Sequence, residues 1–207
     1  MNENIYAKIT GILFITATAA GLTSAILQGT VLEEADYLSK IASNTNLFYM
    51  TAFFEMIMAF AGASIAISMY PVLKKYNEGL AIGAVGFRLF EGALFLVGTL
   101  FLLLLIPISK TGSSSIGDVF KSALPWTIGG IAFTIGAFMY YIVFYQSKLI
   151  PRWLSVFGLI VVVLSCIAYL TVFFNFDIGD TETLLHFPTL IQEMILAVWL
   201  IVKGYNE

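Results

Sequence analysis

The sequence contains few charged residues, and this scarcity decides the class of protein. Only 11% of its 207 residues are Asp, Glu, Lys or Arg, whereas 59% are hydrophobic. A soluble domain usually carries about a quarter charged residues. A chain of this length could not hide so much apolar surface in a water-soluble core. A bilayer removes the difficulty because lipid becomes the solvent for the apolar excess.

Residues that usually carry chemistry are scarce as well. The chain has one cysteine, Cys166, and one histidine, His186, so it offers no pair of cysteines for a disulfide and no metal-ligand spacing. The formal net charge of −3 gives no basic footprint for nucleic acid. We therefore expect no cofactor, no metal site and no nucleic-acid partner, and we expect the lipid bilayer to surround the chain.

Six long apolar runs follow one another along the sequence. Each is long enough to cross a hydrocarbon core of about 30 Å as a helix, and too continuous for a transmembrane β-strand. The first run could be read as a signal peptide, but its length favours a span. The sequence thus predicts an all-α, polytopic transmembrane bundle of about six helices, forming a single domain over residues 1–207. The predicted spans are Ala7–Gln28, Asn46–Tyr70, Leu80–Ile108, Pro125–Gln146, Trp153–Phe174 and Leu185–Val202.

The basic residues outside the spans predict an orientation. If there are six spans, the loops and termini of one side carry Lys8, Lys74, Lys75, Lys148, Arg152 and Lys203. The loops of the other side are mainly acidic. Cytoplasmic loops are enriched in Lys and Arg, so we expect both termini in the cytoplasm and a multi-pass protein of the cell membrane. Pro71 is expected to close the second span at Tyr70, and residues 112–117 are expected to form a Ser/Gly-rich outer loop.

Ionisable residues inside the spans break the apolar pattern. Each costs about 2.5–3.5 kcal/mol on insertion scales, so such residues are rarely accidental. Depth can be counted from the nearest span end at about 1.5 Å per residue, and this count places the three glutamates near the midplane. The ionisable residues are Glu55, Arg88, Glu91 and Glu193.

These residues predict a buried polar cluster. Arg88 and Glu91 have i,i+3 spacing, so they share a helix face. We expect the second, third and sixth spans to meet, with Glu55, Glu91 and Glu193 around Arg88. Three carboxylates then face one guanidinium, so either a carboxyl is neutral or a bound cation compensates. The cluster is interpreted either as a ligand-binding or proton-linked site or as an ion-pair network that fixes helix packing.

Two polar residues of the sixth span complete the candidate set. Gln192 adjoins Glu193 and is assigned to the cluster, whereas His186 lies at the outer helix end and is assigned to its periphery. No residue is assigned a catalytic role, because the chain lacks a nucleophile elbow, a histidine cluster and a phosphate-binding glycine loop.

An ordered set of segments along nearly the whole chain resembles a known family. The segments are residues 70–75, 87–91, 147–154, 192–193 and 199–206. Together they resemble the bacterial membrane family catalogued as domain of unknown function 4386, in which an arginine is frequent where this chain has Gln146. The family has no established activity, so the resemblance implies the fold and the polar positions but no reaction.

Three classes of function remain open. The first is binding or transport of a small polar molecule, an ion or a lipid headgroup, because midplane carboxylates are typical of such sites. The second is a ligand-free scaffold or assembly partner. The third is an intramembrane enzyme that uses paired carboxylates as acid and base, which we rank last. The oligomeric state does not follow from the sequence.

Overall fold

A computed structural model describes residues 3–29, 31–111, 114–122, 124–176 and 181–206. All regular secondary structure within these ranges is helical. The α-helices are α1 (Glu3–Gln28), α2 (Tyr37–Ser43), α3 (Thr45–Leu73), α4 (Glu78–Thr111), α5 (Ser114–Ser122), α6 (Pro125–Ser147), α7 (Arg152–Phe173) and α8 (Thr181–Val202), with one 3-10 turn at Val31–Glu33. Six of them are long and apolar enough to cross a membrane, so the prediction of a six-span helical bundle is confirmed.

Two predictions about helix ends are wrong. Helix α3 does not stop at Tyr70 but continues through Pro71 to Leu73, and Pro71 removes only its own N–H donor from the last turns of the helix. Its last turn still closes, since the Lys74 N–H donates to the Tyr70 carbonyl at 3.0 Å. The loop predicted over residues 112–117 contains the start of α5, whose apolar residues recur at helical spacing. Residues 112 and 113 lie outside the described ranges.

The six long helices close into a ring in chain order. Helix α1 packs on α3, α3 on α4, α4 on α6, α6 on α7, α7 on α8, and α8 back on α1. Short connections favour neighbouring, antiparallel helices, and an even number of them returns the chain to its starting end. The ring is closed where Gly11 of α1 lies against Ala197 of α8, with no room for a Cβ atom on Gly11.

Both described ends of the chain therefore lie at one end of the bundle, which we call the termini end. Lys75 in the turn after α3 forms an ion pair with Glu3, with Nζ and Oε1 2.7 Å apart. Asn206 donates its side-chain N–H to the carbonyl of Lys148, in the turn after α6, at 2.8 Å. The opposite end, which we call the far end, carries the short helices α2 and α5.

The half of the bundle next to the termini end is densely packed. The rings of Tyr140, Tyr141 and Phe144 are fully buried there and contact one another edge-on or tilted. Gly158 of α7 accepts the Tyr141 ring so closely that an added Cβ would lie 2.3 Å from a ring carbon. Close packing of this kind resembles the core of a soluble protein.

At the far end, α2 and α5 cover only one side of the ring. Both pack against α4. A small core of side chains from α2, α3 and α4 lies beneath them. The Tyr37 hydroxyl of α2 donates to the Asp118 carboxylate of α5 at 2.9 Å, so the two short helices are joined to each other.

Candidate functional site

The far half of the ring contains an open cavity of about 420 Å³. Small-molecule sites commonly have volumes of roughly 300–1,000 Å³. Every long helix contributes to its wall, and the wall is mainly apolar. One wall residue from each helix is Leu22, Met58, Phe95, Phe133, Tyr169 and Leu190. The cavity extends from the middle of the bundle to Trp126 and His186, which lie near the far-end starts of α6 and α8.

An ion pair forms the floor of this cavity. Arg88 and Glu91 both line it and are only 3% and 5% exposed. Arg88 Nη1 lies 2.9 Å from Glu91 Oε2 and donates to Glu91 Oε1 at 3.2 Å. The i,i+3 spacing on α4 therefore produces the predicted pair.

The remaining contacts of Arg88 hold α4 to its neighbours. Its Nε and Nη2 donate to the carbonyl of Gly62 on α3, at 3.1 and 2.9 Å. A helical carbonyl has a second lone pair for this purpose. Glycine suits the position, since a Cβ there would lie 3.1 Å from Arg88 Nη2. The guanidinium also lies over the Phe133 ring of α6, 4.9 Å from its centroid.

Glu193 approaches the same floor from α8. Helix α8 packs mainly on α1 and α7, so Glu193 faces the ion pair from another side of the cavity. It is near enough for the charges of Arg88 and Glu91 to act on it. Among the residues that the structure describes, no group donates a hydrogen bond to its carboxyl.

One face of α8 continues this polar lining toward the far end. His186, Thr189 and Glu193 have i, i+3, i+7 spacing and all line the cavity. The Thr189 hydroxyl is 2.7 Å from the Ser165 hydroxyl of α7, so that pair is satisfied. The His186 ring lies 4.4 Å from the ring of Tyr169, and its Nε2 is buried without a hydrogen-bond partner in the described part of the chain. The residue predicted to be peripheral thus stands on the cavity wall.

Glu55 lies apart from this floor, so the prediction that Arg88 gathers all three glutamates is wrong for Glu55. Its Oε2 is 2.9 Å from the Thr99 hydroxyl of α4, and the Ser24 hydroxyl of α1 is 3.5 Å from its Oε1. The register of α3 against α4 explains the separation. Because Gly62 lies beside Arg88, Glu55 is seven residues, or about 10 Å, nearer the far end.

Gln192 also lies away from the cavity. It is fully buried, and its amide oxygen accepts from the Tyr141 hydroxyl of α6. Its amide nitrogen donates to the Leu154 carbonyl of α7 at 3.4 Å. Gln192 therefore joins α6, α7 and α8 within the packed half, whereas its neighbour Glu193 faces the cavity.

The fold and this site together define a multi-pass helical membrane protein whose six-helix ring contains an open cavity with a charged floor. The family model described as domain of unknown function DUF4386 matches residues 9–204, and the chain belongs to that family. The resemblance noted in the sequence is thereby confirmed. A search of the curated proteins and of the solved structures finds no match to this chain.

Proposed function

We propose that the protein binds a small amphipathic molecule in its central cavity, as a binding or transport protein of the membrane. The observation that carries the proposal is the cavity itself, which has an apolar wall drawn from six helices and charged groups gathered at one end. A concave apolar site with a few convergent polar groups is the usual form of a small-molecule site.

A purely structural role accounts less well for this half of the bundle. An ion pair that only fixed helix packing would be surrounded by side chains as dense as those around Gln192 and Tyr141. Instead, Arg88 and Glu91 border open volume on one side. The scaffold hypothesis needs no such volume, and it predicts that small molecules partition only into the surrounding lipid.

We further propose that the termini end faces the cytoplasm of a bacterial cell, so that the cavity lies toward the outer surface. Six basic residues lie in loops and termini at that end and three at the far end, where the acidic residues predominate. A reporter enzyme fused after Tyr205 should show cytoplasmic activity. An extracellular signal from this fusion would reverse the assignment.

Tryptophan fluorescence offers a direct test of the binding proposal. Trp126 lines the cavity, and replacing the other two tryptophans (Trp153→Phe and Trp199→Phe) leaves it as the only emitter. The neutral nitroxide TEMPO quenches tryptophan on contact. In lipid nanodiscs we expect a saturable quenching component in addition to the linear component caused by partition into lipid.

A matched pair of variants on α1 assigns that saturable component. Ala17 lines the cavity, whereas Ala19 is exposed on the outside of the ring. In the single-tryptophan background, Ala17→Phe should fill the volume and abolish saturable quenching, and Ala19→Phe should leave it unchanged. Linear quenching alone in the parent protein would refute the proposal and favour the scaffold.

A further inference from the structure

We infer that the ligand is an amphipathic organic cation, a protonated amine whose head meets Glu193 while its apolar body lies along the cavity wall. This inference rests on the proposed function and specifies the class of molecule bound. It follows from which polar groups at the floor are already satisfied by the protein and which are free to meet a ligand.

The floor favours positive charge because its guanidinium is already engaged. Arg88 directs Nε and Nη2 to the Gly62 carbonyl and Nη1 to Glu91. These contacts use three of the five N–H donors of the guanidinium, so an anionic ligand would find only the remaining two and would also meet the two carboxylates of Glu91 and Glu193. An ammonium group supplies up to three N–H donors and would find an acceptor at Glu193, which no donor in the described residues reaches.

A bare metal ion fits the floor poorly. Within the described ranges, no group of three or more His, Cys, Asp or Glu side chains could hold a metal ion. Hard cations such as Ca²⁺ take six to eight oxygen ligands, far more than the carboxylates of Glu91 and Glu193 supply. An organic ammonium needs fewer acceptors because its own carbon atoms replace part of the hydration shell.

The cavity wall suits the rest of such a molecule. Phe95, Met58 and Leu190 give it apolar contacts next to the floor, and Trp126 adds an aromatic ring farther up. Aromatic faces attract organic cations, as the Phe133 ring already attracts Arg88. His186 is seven residues from Glu193 on α8, so the cavity extends about 10 Å above the carboxyl.

Three nitroxides that share one ring system provide the test. At neutral pH, 4-amino-TEMPO carries an ammonium, TEMPO is uncharged and 4-carboxy-TEMPO carries a carboxylate. The affinity of each probe is measured from the saturable quenching of Trp126. We expect 4-amino-TEMPO to bind at least tenfold more tightly than TEMPO, and 4-carboxy-TEMPO to bind most weakly. Equal affinities, or tighter binding of the carboxylate, would overturn the inference while leaving the proposed function intact. If no probe binds, the proposed function itself fails.

Variants of Glu193 test whether this residue causes the preference for the ammonium probe. Glu193→Gln should lose the tenfold preference for the amine over TEMPO. Glu193→Asp should retain part of it. The matched control is Glu55→Gln, since Glu55 is a buried carboxyl within the spans that does not line the cavity, and it should retain the full preference. Unchanged discrimination in Glu193→Gln, with TEMPO binding intact, would show that Glu193 does not receive the head group.

Discussion

Two neighbouring residues, Gln192 and Glu193, show how the halves of this bundle differ. The amide of Gln192 is satisfied by Tyr141 and by the Leu154 carbonyl, among fully buried aromatic side chains. The carboxyl of Glu193, one step round the same helix, borders a cavity of about 420 Å³. Gln192 therefore joins helices within the packed half, whereas Glu193 borders open volume.

Glycines make room for two kinds of contact in this bundle. In the packed half, Gly158 accepts a Tyr141 ring carbon at a distance that no Cβ could tolerate. At the boundary between the halves, Gly62 instead offers its carbonyl to Arg88. The absent side chain makes room for apolar packing in one case and for an anchored charge in the other. The bundle thus combines a packed half at the termini end with a cavity in the far half.

The largest effect on stability is expected from removing the Arg88–Glu91 ion pair, which lies between the two halves. Arg88→Ala leaves Glu91 buried without its partner and should lower the free energy of unfolding by about 3–5 kcal/mol. The free energy of unfolding of Arg88→Lys should lie between those of Arg88→Ala and the wild type, because one ammonium cannot serve both Gly62 and Glu91 as the planar guanidinium does. Thermal unfolding in detergent measures both. Wild-type stability in Arg88→Ala would show that the ion pair does not hold the halves together.

The next largest effect is expected when alanine is replaced by phenylalanine, and we compare this substitution in the two halves. Ala137 is fully buried in the packed half, so Ala137→Phe should overpack it and cost about 1–3 kcal/mol or more. Ala17→Phe places the same ring in the cavity and should change stability by less than about 1 kcal/mol. The unfolding midpoints of the two variants measure this difference. Equal losses of stability would contradict the view that one half is packed and the other contains a cavity.

How much of this arrangement followed from the sequence depends on the scale. The six spans came from apolar runs long enough to cross a bilayer, and the Arg88–Glu91 pair came from i,i+3 spacing on one helix. Both features are local, so a single sequence contains them.

The features that the sequence did not predict depend on contacts between helices. Whether Gln192 or Glu193 faces the cavity depends on a rotation of α8 by about 100° per residue, and apolar residues surround both. The position of Glu55 along the bundle axis depends on the register of α3 against α4. Trp126 was not assigned to a site at all, and α6 is apolar on every side, so no pattern distinguishes its cavity face from its lipid face.

A smaller effect is expected at single glycines. Gly158→Ala drives a methyl group into the buried Tyr141 ring and should destabilise the packed half by about 1–3 kcal/mol. Gly86→Ala is the control, since a Cβ at that helical position meets nothing within 4 Å. It should stabilise the protein by about 0.5–1 kcal/mol. A destabilised Gly86→Ala would mean that helix propensity is not the governing factor there.

The smallest effect concerns the far-end helices, outside the spans. Burial, together with the hydrogen bond to Asp118, raises the pKa of Tyr37 to about 12 from a usual value of 10.0. The neutral phenol is therefore favoured in the folded state. The neutral Tyr37 phenol contributes fully to the stability of the folded state below pH 10, and this contribution is lost as the pH rises toward 12.

Amide exchange of α2 can detect this dependence. Exchange in the wild type should accelerate between pH 10 and 12, after correction for the intrinsic rate. In Tyr37→Phe, α2 should be less protected by about 1 kcal/mol at neutral pH and should show no further loss in that window. The same alkaline loss in Tyr37→Phe would assign it to another group.

The contrast between the halves is tested most directly by cysteine accessibility along α8. Leu190 lines the cavity, and Ala197, two turns nearer the termini end, is fully buried in the packed half. In a Cys166→Ala background, single Leu190→Cys and Ala197→Cys variants in nanodiscs would be exposed to the charged thiol reagent MTSET. We predict rapid modification at position 190 and none at position 197. Modification of both positions, or of neither, would contradict a cavity above a solid base.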